Sequence, residues 1–184
     1  MKFQPLCRQE EVDREVMLTC LERMPDVLRR ENLLCHFTAS AWIVNPGRDK
    51  VLFAHHNIYN SWTWIGGHAD GESDMLAVAL RETAEETGID DAVPVSRDIF
   101  SIETIHVDPH IKRGSYVPDH EHFNVTYLLE AQESEAIRPK LDENSGVRWF
   151  SFEDAINRNP EPCMVTVFKK IVERLGNGYP SSGS

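Results

Sequence analysis

The chain has 184 residues and a net charge of −11, with 41% hydrophobic and 27% charged residues, a composition and length suited to one globular domain with its own core. A pI near 5.1 argues against a nucleic-acid or anionic-membrane surface, because no basic field is present to neutralise phosphates. An anionic small molecule would need a metal or a local Arg/Lys cluster to approach.

Residues 10–30 favour a helix, with Val12, Val16, Met17, Cys20, Leu21 and Met24 as an irregular apolar stripe that Pro25 interrupts. Met1–Leu6 lacks the apolar centre of a signal peptide, and no run reaches the ~20 apolar residues of a membrane span, so a cytoplasmic location is expected. Cys7, Cys20, Cys35 and Cys163 show no CxxC spacing and are expected as reduced thiols. Residues 34–44 and 50–55 read as two strands of a hairpin joined by the turn Asn45-Pro46-Gly47-Arg48-Asp49. Trp62-Thr63-Trp64-Ile65 fits a short strand, with both tryptophans on one face, packed in the core or stacked on a base.

A glycine loop, Gly66-Gly67-His68-Ala69-Asp70-Gly71-Glu72-Ser73, precedes a helix over 73–87. Ser73 is the expected N-cap, Asp74 a first-turn acid and Gly88 the left-handed stop, with Leu76, Ala77, Leu80 and Ala84 as the apolar stripe. Glu82, Glu85 and Glu86 fall at i, i+3 and i+4 near the negative end of the helix dipole. Each like-charge neighbour costs roughly 0.2–0.5 kcal/mol, and Arg81 is the one cation near them in sequence. Two readings stay open, a solvated acidic face or a divalent-cation site. Carboxylate ligation from one helix suits Mg²⁺ or Mn²⁺, which share their remaining positions with water and substrate phosphates.

Beyond the helix, residues 98–107 have strand character. The long polar segment 108–119 contains Lys112 and Arg113, which are candidate phosphate contacts or part of a plain solvated loop. His120, His122 and Asn124 share one face of the next strand. Hydrogen bonding to substrate, or to the preceding loop, is the favoured role for the two histidines over a transition-metal site, because no third His or Cys stands at suitable spacing. Residues 146–150 form a strand, Ser151-Phe152-Glu153-Asp154 a capped helix start, and 161–175 a helix with Met164, Val167, Phe168, Ile171 and Leu175 at core spacing.

The segment from Gly67 through Arg81, Glu82, Glu85, Glu86, Gly88 and Ile89 resembles the signature box of the Nudix hydrolases, with Ser73 where that box has its first Glu and Glu72 just before it. The resemblance implies an α+β fold, a Nudix-like α/β/α sandwich with a mixed β-sheet between helices, over residues 34–175. Residues 1–33 would be an N-terminal helical extension and 176–184 a flexible tail. It also implies hydrolysis of a phosphoanhydride in a nucleoside diphosphate linked to another moiety. Mg²⁺, or Mn²⁺, would be held by Glu82, Glu85, Glu86 and the backbone of Gly66. Arg81 would orient the acids, and Glu82, Glu85 or Glu143 would serve in catalysis. Trp64, His68, Lys112, Arg113, His120 and His122 are the candidate substrate contacts. The expected partner is a small nucleotide-type substrate, with no nucleic acid and no membrane, and a homodimer is left open. The alternative is a nucleotide-binding or regulatory module that has lost turnover, which the change at Ser73 motivates.

Overall fold

The computed structural model describes residues 3–112, 114–133 and 137–177. In chain order the elements are α1 (Arg8–Arg23), β1 (Cys35–Val44), β2 (Lys50–His56), β3 (Ser61–Thr63), β4 (Ile65–His68), α2 (Met75–Thr87), β5 (Val93–Pro94), β6 (Ser101–Val107), β7 (His110–Lys112), β8 (Ser115–Val117), β9 (His120–Glu130), β10 (Asn144–Ser151), α3 (Phe152–Arg158) and α4 (Pro162–Gly176). Eight strands form one mixed sheet with the order β10-β2-β1-β9-β5, to which β3, β4 and β6 add on β2, β1 and β9. Among the described residues, only β1 and β9 run parallel, over ten residue pairs from Cys35↔Glu121 to Val44↔Glu130.

The period of two along β1 and β9 divides the sheet into faces. Phe37, Ala39, Ala41 and Ile43 of β1, with Phe123, Val125, Tyr127 and Leu129 of β9, join Leu76, Val78 and Ala79 of α2 and Met17 of α1 in one core. On the other face Trp42, Val44 and Leu128 pack with Phe53, Phe168 and Ile171 in a second core under α4. That second face changes character along its length. His36, Thr38 and Ser40 stand in register with His122, Asn124 and Thr126, so its upstream half is polar where its downstream half is dry.

The early hairpin forms as expected, with Ile43↔Leu52 and Val44↔Val51 paired. Asn45 organises its turn, its Oδ1 accepting from the amides of Asp49 and Lys50 at 3.1 Å each. The expected single strand at 62–65 is instead two. β3 pairs with β2 and β4 with β1, so the chain changes partner at Trp64. The segment 108–119 is not a plain loop, because β7 and β8 pair as a small hairpin.

α1 ends earlier than the sequence stripe suggested. Met17 is buried, while Val12, Val16 and Leu21 are exposed. A buried ion network fastens its start, since Glu10 is fully buried and pairs with Arg174 and, at 3.2 Å, with Lys170 of α4. Lys170 also reaches Glu103 of β6 at 2.9 Å. Ser151 caps α3 as expected, accepting from Asp154 N at 3.1 Å. Residues 178–184, and with them most of the expected tail, lie outside the described residues. Among the described residues, no helix is long and apolar enough to cross a membrane, and all four cysteines are free thiols.

Candidate active site

The cap of α2 is Asp74 rather than Ser73. Its Oδ1 accepts from Leu76 N and Ala77 N at 3.2 Å each, and Glu72 Oε1 accepts from Asp74 N at 2.8 Å, bracing the junction of loop and helix. Gly88 ends the helix in the left-handed region at φ 74°. The buried stripe also differs from the expected one. Ala77 is exposed, and Leu76, Val78, Ala79, Thr83, Glu86 and Thr87 face inward. Two threonines fit there because Thr83 Oγ1 donates to Ala79 O at 2.8 Å and Thr87 Oγ1 to Thr83 O at 2.6 Å, satisfying both hydroxyls within the helix.

Rotation of that stripe separates the three acids. Glu85 is exposed, Glu82 half-buried and Glu86 buried at 5% exposure. Glu86 accepts from Asn144 Nδ2 at 2.7 Å and from Gly66 N at 3.3 Å. Burial outweighs those bonds and pushes its carboxyl up to about 8, with the neighbouring Glu82 adding to the rise. Burial also raises Glu82, against the opposing pull of Arg81. Arg81 Nη2 donates to Glu82 Oε1 at 3.0 Å and to the His68 carbonyl at 3.3 Å, and Arg81 Nε lies 3.9 Å from Glu85 Oε1.

Sequence proximity hid a second cation. Lys140, in the segment before β10, is 3.2 Å from Glu85 Oε2 and 3.1 Å from Glu143 Oε1, so the acid cluster is less uncompensated than the helix alone suggested. This link also brings Glu143 to the cluster from 57 residues away in sequence. Arg30 clamps Asp70 of the glycine loop through two parallel hydrogen bonds, from Nε to Oδ1 at 2.6 Å and from Nη2 to Oδ2. The segment following α1 therefore forms part of the site wall. Gly67 has a steric reason to be glycine. A Cβ there would lie 2.7 Å from both carboxylate oxygens of Glu82, so the strand can pass this close to the acid only without a side chain.

These groups line a cleft of about 840 Å³ that includes Arg30, Gly66, Gly67, His68, Glu82 and Glu143. A second cleft of about 360 Å³ adjoins it and shares Gly66, Gly67 and His68. Thr38, Ser40, Asn124, His122 and Trp64 line it over the polar half of the sheet. Asn124 uses its whole hydrogen-bonding capacity there, accepting from Thr38 and Ser40 hydroxyls at 3.1 and 2.8 Å and donating to Glu103 and Thr126 at 3.0 Å each.

Trp64 is 9% exposed and stacks edge-on against Phe168 with ring centroids 5.5 Å apart, so it serves the core as well as the cleft. Arg113 lies outside the described residues, and Lys112 is described in its backbone alone. His68, His120 and His122 come together, and a histidine that the sequence reading passed over joins them. His36 sits within 5.0 Å, ring to ring, of each. The expectation that no third histidine was available fails because β1 and β9 pair in parallel and place His36 beside His122. The legible signal was the repeated pattern of polar residues at alternate positions, His36-Thr38-Ser40 and His122-Asn124-Thr126, in otherwise apolar strands.

Glu86 is thus a buried carboxylate held at a raised pKa beside the glycine loop, with Glu82 and Glu85 on the same helix lining the adjoining cleft. The family model described as NUDIX domain matches residues 36–175. The chain belongs to the NUDIX family. Among curated relatives, it is 28% identical over 130 residues to the mouse bis(5'-nucleosyl)-tetraphosphatase [asymmetrical], covering 70% of this chain and 76% of the mouse protein. Against the pig protein of the same name it is 29% identical over 137 residues, covering 73% and 81%. The crystal structure of a Caenorhabditis elegans Ap4A hydrolase binary complex superposes with a TM-score of 0.58 at 21% identity, covering 77% of this chain and 98% of that one. Family membership makes this Nudix chain a hydrolase acting on diphosphate bonds.

Proposed function

We propose that this Nudix protein hydrolyses, with Mg²⁺, a phosphoanhydride bond in a nucleoside diphosphate linked to another moiety, and that dinucleoside polyphosphates are the first substrate class to test. The observation that carries this reading is the set of acids on one helix beside Gly66 and Gly67, with Glu82 and Glu85 lining the larger cleft and Glu86 the smaller one that adjoins it there. The relatives named for bis(5'-nucleosyl)-tetraphosphatase activity support the substrate class.

The residues suit a hard divalent ion. The donors are carboxylate oxygens, Glu86 is destabilised as an anion while alone, and the neighbouring Asn144 Oδ1 is buried without a partner. When bound, Mg²⁺ or Mn²⁺ supplies charge neutralisation at the phosphates and a water of lowered pKa. Glu82, Glu85 and Glu86 would hold it, with the backbone of Gly66. Arg81 fixes the Glu82 carboxylate by its 3.0 Å bond, and Glu82, whose affinity for a proton burial raises, would accept the proton of the attacking water. Glu143, steered by Lys140, is the competing base. Arg30, Arg81 and Lys140 line the cleft, each paired with an acid, so charge neutralisation for a polyphosphate would rest chiefly on the metal. The smaller cleft, with Trp64, Asn124 and His122, would receive the nucleoside end.

Ser73 in place of a box Glu favours the second reading, a binding module without turnover. Glu72, which braces Asp74 N, offers a substitute for the missing group. Phosphate release should be measured, with and without Mg²⁺, on dinucleoside polyphosphates, nucleoside diphosphate sugars and alcohols, and oxidised nucleotides. Mg²⁺-dependent turnover on the first class is expected. Tight binding of one compound with turnover of none would establish the module instead.

A further inference from the structure

We propose that His36, His68 and His122 form a second metal site, selective for a transition-metal ion of the Zn²⁺ class and separate from the carboxylate cradle. Each of the three offers a ring nitrogen, and these atoms lie within 4.8 Å of one another. Metal–nitrogen bonds of about 2.0–2.1 Å in tetrahedral geometry set ligand atoms roughly 3.4 Å apart, so small side-chain rotations close the site. Three strands supply the ligands. β1 gives His36, β4 gives His68 and β9 gives His122, and the pairs His36↔His122 and Thr38↔His68 fix their spacing through the backbone.

The hydrogen bonds around the cluster determine which nitrogens can bind. His36 is 3% exposed, and its Nδ1 lies 3.0 Å from the Asn32 carbonyl oxygen. A carbonyl only accepts, so Nδ1 carries the proton and the lone pair is on Nε2. That Nε2 is buried with no hydrogen-bond partner, an exception to the rule that buried polar atoms are paired and one that a metal ion would remove.

His120 acts as an outer support. Its Nδ1 donates to the Pro118 carbonyl at 2.9 Å, leaving Nε2 to accept from His122 Nε2 at 3.2 Å. This is the arrangement by which a second ring orients a metal-binding imidazole. Nitrogen donors discriminate against Mg²⁺, and the acids of α2 discriminate the other way, so the two sites would sort two kinds of ion. His68 couples them, because its carbonyl accepts from Arg81 while its ring belongs to the cluster and lines both clefts. Three protein ligands leave a fourth position for water or a substrate atom.

The test uses untagged full-length protein stripped with a chelator and held in excess Mg²⁺. Calorimetric titration with Zn²⁺ should show one equivalent bound, and Co²⁺ should give the visible absorption of a nitrogen-ligated ion of low coordination number. His36→Gln and His122→Asn should each weaken Zn²⁺ binding by at least about tenfold and abolish the Co²⁺ band, with circular dichroism confirming the fold. Glu86→Gln should leave both signals unchanged. Absence of Zn²⁺ binding to the wild-type protein in excess Mg²⁺ would overturn the proposal whether or not the variants fold. So would binding that Glu86→Gln removes and His36→Gln retains.

Discussion

Gly67→Ala isolates one geometric claim, that the Glu82 carboxylate must sit against a bare stretch of strand. The added Cβ would meet the Glu82 carboxyl carbon at 2.4 Å and both its oxygens at 2.7 Å, and reaching the 3.4 Å of ordinary contact requires the carboxylate to retreat by about 1 Å. The backbone itself accepts alanine, because Gly67 is not among the residues with positive φ. The obstructing atoms also belong to the end of a flexible side chain rather than to backbone, so the stability change should stay within about 1 kcal/mol. Catalysis should be far more sensitive, since a misplacement near 1 Å costs up to about 100-fold. We expect kcat/KM for Mg²⁺-dependent hydrolysis to fall by about 30–100-fold, or ~2–3 kcal/mol of transition-state stabilisation. The control is the same substitution in a Glu82→Gln background, where it should cost less than about threefold because the group through which it acts has already lost its charge. Wild-type turnover in Gly67→Ala, or an undiminished loss in the double variant, would refute the reasoning.

Glu86 also carries a pH signature. Its carboxyl, ordinarily near 4.5, is raised to about 8 in the folded chain, so its contribution to stability is fully present below the unfolded value and is lost as pH rises through the folded one. Urea denaturation in chelator should therefore show metal-free protein losing stability between about pH 5 and pH 8, by at most about 5 kcal/mol at 1.36 kcal/mol per unit. Glu86→Gln should flatten this dependence and abolish metal-dependent turnover; a wild-type profile already flat would contradict the burial argument. Lys170→Met should destabilise the fold by about 3–5 kcal/mol, because it strands Glu103 without its cation and leaves Glu10 to Arg174 alone. A loss below about 1 kcal/mol would show that this buried network is not what ties α1 to α4.

The strand and helix pattern was legible because it rests on local physics. Alternation in β1 and β9, the Asn45 turn, the Gly88 stop and the Ser151 cap each follow from a residue and its immediate neighbours. The spacing of Glu82, Glu85 and Glu86 was equally local, and it pointed to the family before any tertiary contact was known. Which way α2 turns was not, because the depth of Thr83 and Glu86 depends on hydroxyls satisfied within the helix and on Asn144, 58 residues further along the chain. Lys140 and Arg30 reach the acids and the glycine loop from distant segments, so no window of sequence contains them together. The histidines show the division most plainly. The sequence holds eight imidazoles, and only the parallel pairing of β1 with β9, with β4 laid on β1, gathers four of them, His36, His68, His120 and His122, into one cluster.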